Sequence, residues 1–187
     1  MALVQALRNG PIPSRPKAFT VICFVVVAVF LCAEKAKSAA AAEYQVKAAF
    51  LFNFAKFVEW PPNSFPDANT PFVIGVLGQD PFGSYLDETV RGEHVNGRQL
   101  TVHRYRSLTD IKNCQVLFIS RSESQRLVQI VANLKYRKIL IVTDADGGAD
   151  GVMIRFINEG NKIRFKIDVQ AAKAANLTIS SKLLRLG

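Results

Sequence analysis

Residues 43–62, EYQVKAAFLFNFAKFVEWPP, gather Tyr44, Phe50, Phe52, Phe54, Phe57 and Trp60 into one stretch closed by Pro61-Pro62. The spacing predicts a helix, and a helix this aromatic has to be covered by something. At roughly 100° per residue, Tyr44, Val46, Phe50, Leu51, Phe54, Ala55, Phe57 and Val58 fill one broad arc. Only Lys47 interrupts it, near the helix start, where its long stem can snorkel to water. An arc of this width fits the face of a β-sheet and points to a layered fold. Phe52 and Trp60 fall outside the arc, on the side of Gln45, Lys56 and Glu59. Burying an aromatic of that size is worth roughly 2–3 kcal/mol, so leaving two in water is wasteful. They are covered either by the 61–71 loop or the C-terminal tail, or by a second protein.

The aromatic stretch begins where an exported domain would begin. Ahead of it lie a basic segment with Arg8, Arg15 and Lys17, an apolar run FTVICFVVVAVFLCA, and the small residues Ser38 to Ala42. This order reads as a secretory signal over residues 1–42, cleaved before Glu43. The competing reading is a retained anchor, but the run falls short of the roughly 20 apolar residues that span a bilayer. Residues 1–42 hold 5 of the 24 Lys+Arg and 1 of the 15 Asp+Glu, so residues 43–187 carry 19 against 14, a net +5. That is mildly basic and well short of a nucleic-acid-binding density. Of the three cysteines only Cys114 lies beyond the signal, so no internal disulfide can form in 43–187. A buried thiol and an intermolecular disulfide are its two readings.

Beyond the helix, short apolar runs alternate with helical patterns, the signature of an α/β domain spanning 43–187. FVIGVL over 72–77 reads as a strand covered on both faces. Asp80 and Pro81 suit the cap and first position of a helix reaching Thr89 or Val90. Asn96-Gly97 marks a turn before a strand at 100–105, and 116–119 is a third strand. Ser120 and Glu123 have capping-box spacing for the next helix, whose inward face is Leu127, Val128, Ile130, Val131 and Leu134. A fourth strand covers 138–142. Residues 152–157 and 162–167 form a hairpin, and Asp168 caps a last helix before an apolar tail of unassigned conformation.

Three loops follow apolar strands: 78–80, 120–122 and 143–146. In an open parallel sheet they gather at the carboxyl edge, the usual ligand edge of such folds. Asp80, Arg121, Asp144 and Asp146 there would suit a small polar molecule, against the plainer reading of turn and capping chemistry. A calcium loop starting at Asp144 fails, because Ala149 stands at its sixth position and Arg155 at its twelfth. His94 and His103 lack metal-ligand spacing, no nucleophile elbow is present, and GVLGQD lacks the ending of a phosphate loop. No catalytic, metal or cofactor residue is therefore expected, and the chain does not read as an enzyme. In the hairpin, Lys162, Arg164 and Lys166 alternate with Ile163, Phe165 and Ile167. Three cations on one face either attract an acidic partner or phospholipid head groups, or simply guard a sheet edge.

Four segments, EYQVKAAFLFNFAKFVEWPP, FVIGVLGQDPFG, CQVLFIS and GNKIRFKIDVQAAKAANLTISSKLLRLG, are similar to the YfiR family of periplasmic proteins. They occur in family order and span nearly all of 43–187. Asp168 stands where the family usually has Asn. The resemblance implies a single domain with a Rossmann-like, mostly parallel sheet flanked by helices, ending in a C-terminal β-hairpin, and a tendency to form homodimers. It implies a periplasmic repressor, without cofactor or catalytic residues, that binds the periplasmic region of an inner-membrane diguanylate cyclase. Repression lowers cyclic di-GMP, and its release favours biofilm formation. Phe52, Trp60, Lys162, Arg164 and Lys166 are the candidate partner contacts. The alternative is a periplasmic small-molecule sensor acting on another membrane partner, with Asp80, Arg121, Asp144 and Asp146 as its pocket. Some relatives carry paired cysteines, and the single Cys114 argues against disulfide control within one subunit.

Overall fold

The continuous apolar runs pair side by side. In the computed structural model, which describes residues 40–135, 137–160 and 162–186, they form one seven-stranded sheet. The strands are β2 (Phe72–Leu77), β3 (His94–Val95), β4 (Arg98–Tyr105), β5 (Val116–Ile119), β6 (Leu140–Thr143), β7 (Ile154–Glu159) and β8 (Lys162–Ile167). Their spatial order is β3-β4-β2-β5-β6-β7-β8. The inner five are mutually parallel, and β3 and β8 flank them antiparallel. The parallel portion runs second, first, third, fourth, fifth in chain order, a doubly wound arrangement whose direction switches between β2 and β5. Residues 41–187 make up one compact unit. Of the expected export signal over residues 1–42, positions 1–39 lie outside the described residues.

The three central strands β2, β5 and β6 bury both faces, and the alternation of side chains sorts them into two cores. Phe72, Ile74, Val76, Val116, Phe118, Leu140 and Val142 face one cluster. Val73, Leu77, Leu117, Ile119 and Ile141 face the other. The first is roofed by α1 (residues 40–57), α2 (Ser84–Val90), α4 (Val169–Ala174) and α5 (Ser181–Leu184). The second is roofed by α3 (Leu127–Leu134). The tail finds its conformation by pairing: β9 (Thr178–Ile179) runs antiparallel to β1 (Val58–Glu59), and Ser180 caps α5. Leu183 is thereby fully buried. Asn96 and Gly97 both adopt positive φ, as a two-residue hairpin between β3 and β4 requires.

Several expectations need correction. The opening helix ends at residue 57, not at Pro61, because Val58 and Glu59 leave it to pair with the tail. Trp60 is therefore off the helix, and its helical-wheel position carried no information. Val46, expected inward, is 44% exposed, and Lys47, expected to snorkel, is 1% exposed. The second helix starts at Ser84, with Gly83 as its cap. Asp80 instead accepts a hydrogen bond from the Phe82 amide (2.8 Å), closing a turn ahead of the helix. After β5 the chain enters a 3-10 helix, Arg121–Arg126, before α3. Ser120 caps it by accepting from the Ser122 amide, and the Glu123 carboxylate pairs with Arg126, so the capping box is not reciprocal. Val128 is 70% exposed and does not belong to the inward face of α3. The first hairpin strand starts at Ile154 rather than Val152.

Gly75, in the centre of β2, leaves a notch on the α3 side that Tyr105 and Cys114 fill. A Cβ there would stand 2.6 Å from Tyr105 Cε2 and 2.8 Å from Cys114 Sγ. Cys114 is buried, its Sγ 3.0 Å from the Val116 carbonyl oxygen, and burial pushes its thiol up to about 12. The thiol is a packing group here, and reaching a second chain with it would require opening the core. Gly75→Ala should destabilise the fold by about 1–3 kcal/mol through overpacking. Urea unfolding followed by tyrosine and tryptophan fluorescence measures it, and an unchanged midpoint would show that the notch has slack.

Candidate functional site

Asp144 follows β6 directly, and its carboxylate is buried at the carboxyl edge of the sheet. Three groups satisfy it. Oδ2 accepts from Lys47 Nζ at 2.8 Å and from the Tyr44 hydroxyl at 2.8 Å, while Oδ1 accepts from the Arg121 backbone amide at 3.1 Å. Lys47 is also paired with Glu43, one helical turn earlier. Spacing of three and four residues puts Glu43, Tyr44 and Lys47 on one side of α1. That geometry lets the helix present an acid, a phenol and an ammonium to a single strand end. Burial, and then the hydrogen bond to Asp144, raise the Tyr44 phenol well above its ordinary range, so it stays a donor. The Tyr44 ring also meets Phe82 edge-on at 5.5 Å, and Lys47 Nζ lies 4.5 Å from the Tyr44 ring centroid.

A cavity of about 280 Å³ opens beside this cluster, lined by Lys47, Arg121, Asp144, Asp146, Arg155 and Asn158 among others. Backbone carbonyls hold its two arginines. Arg155 Nη1 donates to the Gly147 oxygen at 3.0 Å, and Arg121 Nε and Nη2 reach the Asp144 oxygen at 3.4 Å. Of the four residues expected in a pocket, three gather here. Asp80 does not. Its carboxylate is bound by Arg104 Nε at 2.7 Å, and Arg104 also holds Asp87. The crevice at the switch between β2 and β5 is itself filled. Ser122 Oγ accepts from the Gln79 amide at 2.9 Å, and Ser122 and Glu123 leave no space for a Cβ on Gly78. The cavity has shifted along the edge to the ends of β6 and β7. Reasoning from the sequence missed Lys47 and Arg155. Lys47 stood out as the single cation in an apolar arc, and that anomaly was the usable signal. A larger groove of about 690 Å³ lies between α3 and α4, lined by small and apolar side chains such as Val128, Ala132 and Ala171.

The candidate partner contacts separate onto different surfaces. Phe52 is half-buried and packs against the core cluster under α1, with Ala49 and Lys56 exposed around it and Lys56 Nζ 4.9 Å from its ring centroid. Trp60 is half-buried and packs edge-on against Phe72 at 4.9 Å, with its Nε1 buried without an acceptor among the described residues. Lys162, Arg164 and Lys166 are exposed, while Phe165 between them packs on Phe50 and Phe54 of α1. The cations therefore project from the sheet face opposite α1, and Arg164 is paired with Glu159 at 2.9 Å. Among the described residues, no group of three His, Cys, Asp or Glu could hold a metal ion.

A family model described as YfiR/HmsC-like matches residues 44–187, from the tyrosine of the buried cluster to the end of the chain. The chain belongs to the YfiR/HmsC-like family. No curated protein matches it significantly. At the level of the family, a YfiR/HmsC-like chain is a periplasmic regulator of diguanylate cyclase signalling, and the family is regulatory rather than catalytic. The polar cluster around Asp144 in this YfiR/HmsC-like domain is satisfied by its own hydrogen bonds and ties a helix to a sheet.

Lys47→Met should cost about 3–5 kcal/mol, because it leaves the Asp144 carboxylate buried beside a phenol and one amide without a cation. Adding Asp144→Asn to Lys47→Met should recover part of that loss. Urea denaturation of both variants measures this, and a single variant as stable as the parent would show that the pair contributes nothing.

Proposed function

We propose that this chain is a periplasmic repressor that binds the periplasmic region of an inner-membrane diguanylate cyclase and lowers cyclic di-GMP. The observation that carries the reading is the family match over 44–187. Residues 1–42 act as the export signal, and 43–187 act as the domain that meets the cyclase. Repression works by population shift: the protein binds the inactive cyclase more tightly than the active one. Moving an equilibrium from 99:1 to 1:99 takes about 10⁴-fold preferential binding, or roughly 5.5 kcal/mol. A modest interface with a few aromatic anchors supplies that.

The outer face of α1 is the proposed contact. Phe52 offers the exposed part of a ring that otherwise packs on the core, flanked by Ala49 and Lys56, on a helix that the Lys47–Asp144 pair fixes to the sheet. Trp60 adjoins it through the short strand that leaves the helix, its inner edge held by Phe72. A preordered anchor loses little entropy on binding. The cations of β8 provide a separate surface for an acidic segment. A homodimer of the repressor belongs to the same proposal, since two separate surfaces allow one for self-association and one for the cyclase. The cavity beside Asp144 supports a second, compatible reading, in which a small ligand tunes repression.

Deleting the gene should raise cellular cyclic di-GMP, and levels unchanged across several growth conditions would defeat the proposal. Phe52→Ala should weaken binding to the cyclase's periplasmic region roughly tenfold. Its melting temperature should stay within a few degrees of the parent's. Titration by calorimetry and a thermal scan read the two effects separately, and full affinity in the variant would move the contact elsewhere.

A further inference from the structure

Arg155 faces Lys166 directly across the β7–β8 pair. A like-charge pair in that position destabilises a sheet unless an anion relieves it. Neither residue has a carboxylate partner among the described residues, although Arg164 next along the strand does. Arg121 is in the same state: its guanidinium meets only the Asp144 carbonyl. Both arginines line the 280 Å³ cavity. Lys47 is committed to Asp144 and Glu43, and among the other charged groups of the lining Arg121 and Arg155 outnumber Asp146 by one. Two guanidinium groups are thus held in place by main-chain carbonyls, with no ion pair to a carboxylate among the described residues, at a cavity with room for about ten heavy atoms.

We infer that this cavity binds a small organic carboxylate, with Arg155 and Arg121 as the groups that take its negative charge. A guanidinium fork matches a carboxylate in two parallel hydrogen bonds. Asn158 at the rim donates to Glu43 Oε1 at 3.3 Å, which closes that end of the cavity. Asp144 and Asp146 disfavour a doubly charged phosphate, which would lie against two carboxylates. The bound carboxylate relieves the Arg155–Lys166 repulsion. This inference deepens the ligand-tuned reading and stands independently of the cyclase partner.

The test is thermal denaturation of the purified protein with 1–20 mM (about the range for a weak site) pyruvate, acetate or phosphate at matched ionic strength, with chloride as the reference. A saturable rise in melting temperature with pyruvate or acetate, beyond that in chloride, is expected. Arg155→Gln should fold with the parent's secondary structure and lose at least most of that rise, while Lys173→Gln, on α4, should keep it. Amide shifts on titrating the unlabelled ligand into the isotope-labelled parent give a readout that needs no variant. Perturbation centred on Arg121, Gly147, Arg155 and Asn158 supports the site. Equal responses to carboxylate and chloride, shifts centred elsewhere, or stabilisation by phosphate alone would each overturn it. None of these readouts involves the cyclase, so failure here leaves the repressor proposal standing, and the reverse holds too.

Discussion

The buried contact between Lys47 and Asp144 joins the two halves of this molecule that the chain itself keeps almost a hundred residues apart. Taking both ions out of water costs several kcal/mol each, and their attraction repays that only where the remaining hydrogen-bonding capacity is also met. Here it is met. Tyr44 and the Arg121 amide complete Asp144, and Glu43 adds a second acceptor for Lys47. A pair of this kind fixes geometry more than it adds stability. A helix sliding on an oily sheet face has many near-equal positions, whereas one whose lysine must reach a single carboxylate has one. Everything packed through α1 inherits that register: the stack of Phe50 and Phe54 on Phe156 and Phe165, the exit of the chain at Val58, and the pairing of β1 with the tail.

The parallel sheet was legible because its strands are continuous apolar runs, and burial on both faces needs just that. Val116–Ile119 and Lys162–Ile167 came out residue for residue, and the Asn96-Gly97 turn did too. Elements set by tertiary pairing were not legible. Nothing local in Val58-Glu59 says strand; it becomes one because Thr178-Ile179 arrives beside it. The same pairing ends the aromatic helix early and takes Trp60 off it. Asp80 looked like a helix cap because its sequence neighbours fit, but its carboxylate is claimed by Arg104 from an adjacent strand. The candidate pocket was half legible. The strand-end loops bring Arg121, Asp144 and Asp146 to one cavity, whereas Lys47 and Arg155 line it from elements that no strand-end rule covers.

A physical division of labour follows for the proposed repressor. The inner side of α1 is spent on the core and on the Asp144 lock, and the outer side is left for recognition. The carboxyl edge, where doubly wound folds bind ligands, is crowded at its usual switch point by Ser122 and Glu123, and a cavity opens where α1 meets β6 and β7. The ligand-sized space therefore touches the residues that position α1, the proposed contact helix. Effector and partner sites that share one fixed element can be coupled without any large rearrangement, provided the ligand binds the two states of that element unequally. Cys114, packed in the Gly75 notch, takes no part in this arrangement.

The claim on which the rest depends is that α1 is held on the sheet as firmly as the core itself. Native-state amide hydrogen exchange tests it most directly. Opening free energies for amides over 48–55 of α1 should match those of β2 and β5, so that all three exchange only through global unfolding. Exchange of α1 at markedly lower free energy, while the inner strands remain protected, would show the helix undocking by itself and contradict the account.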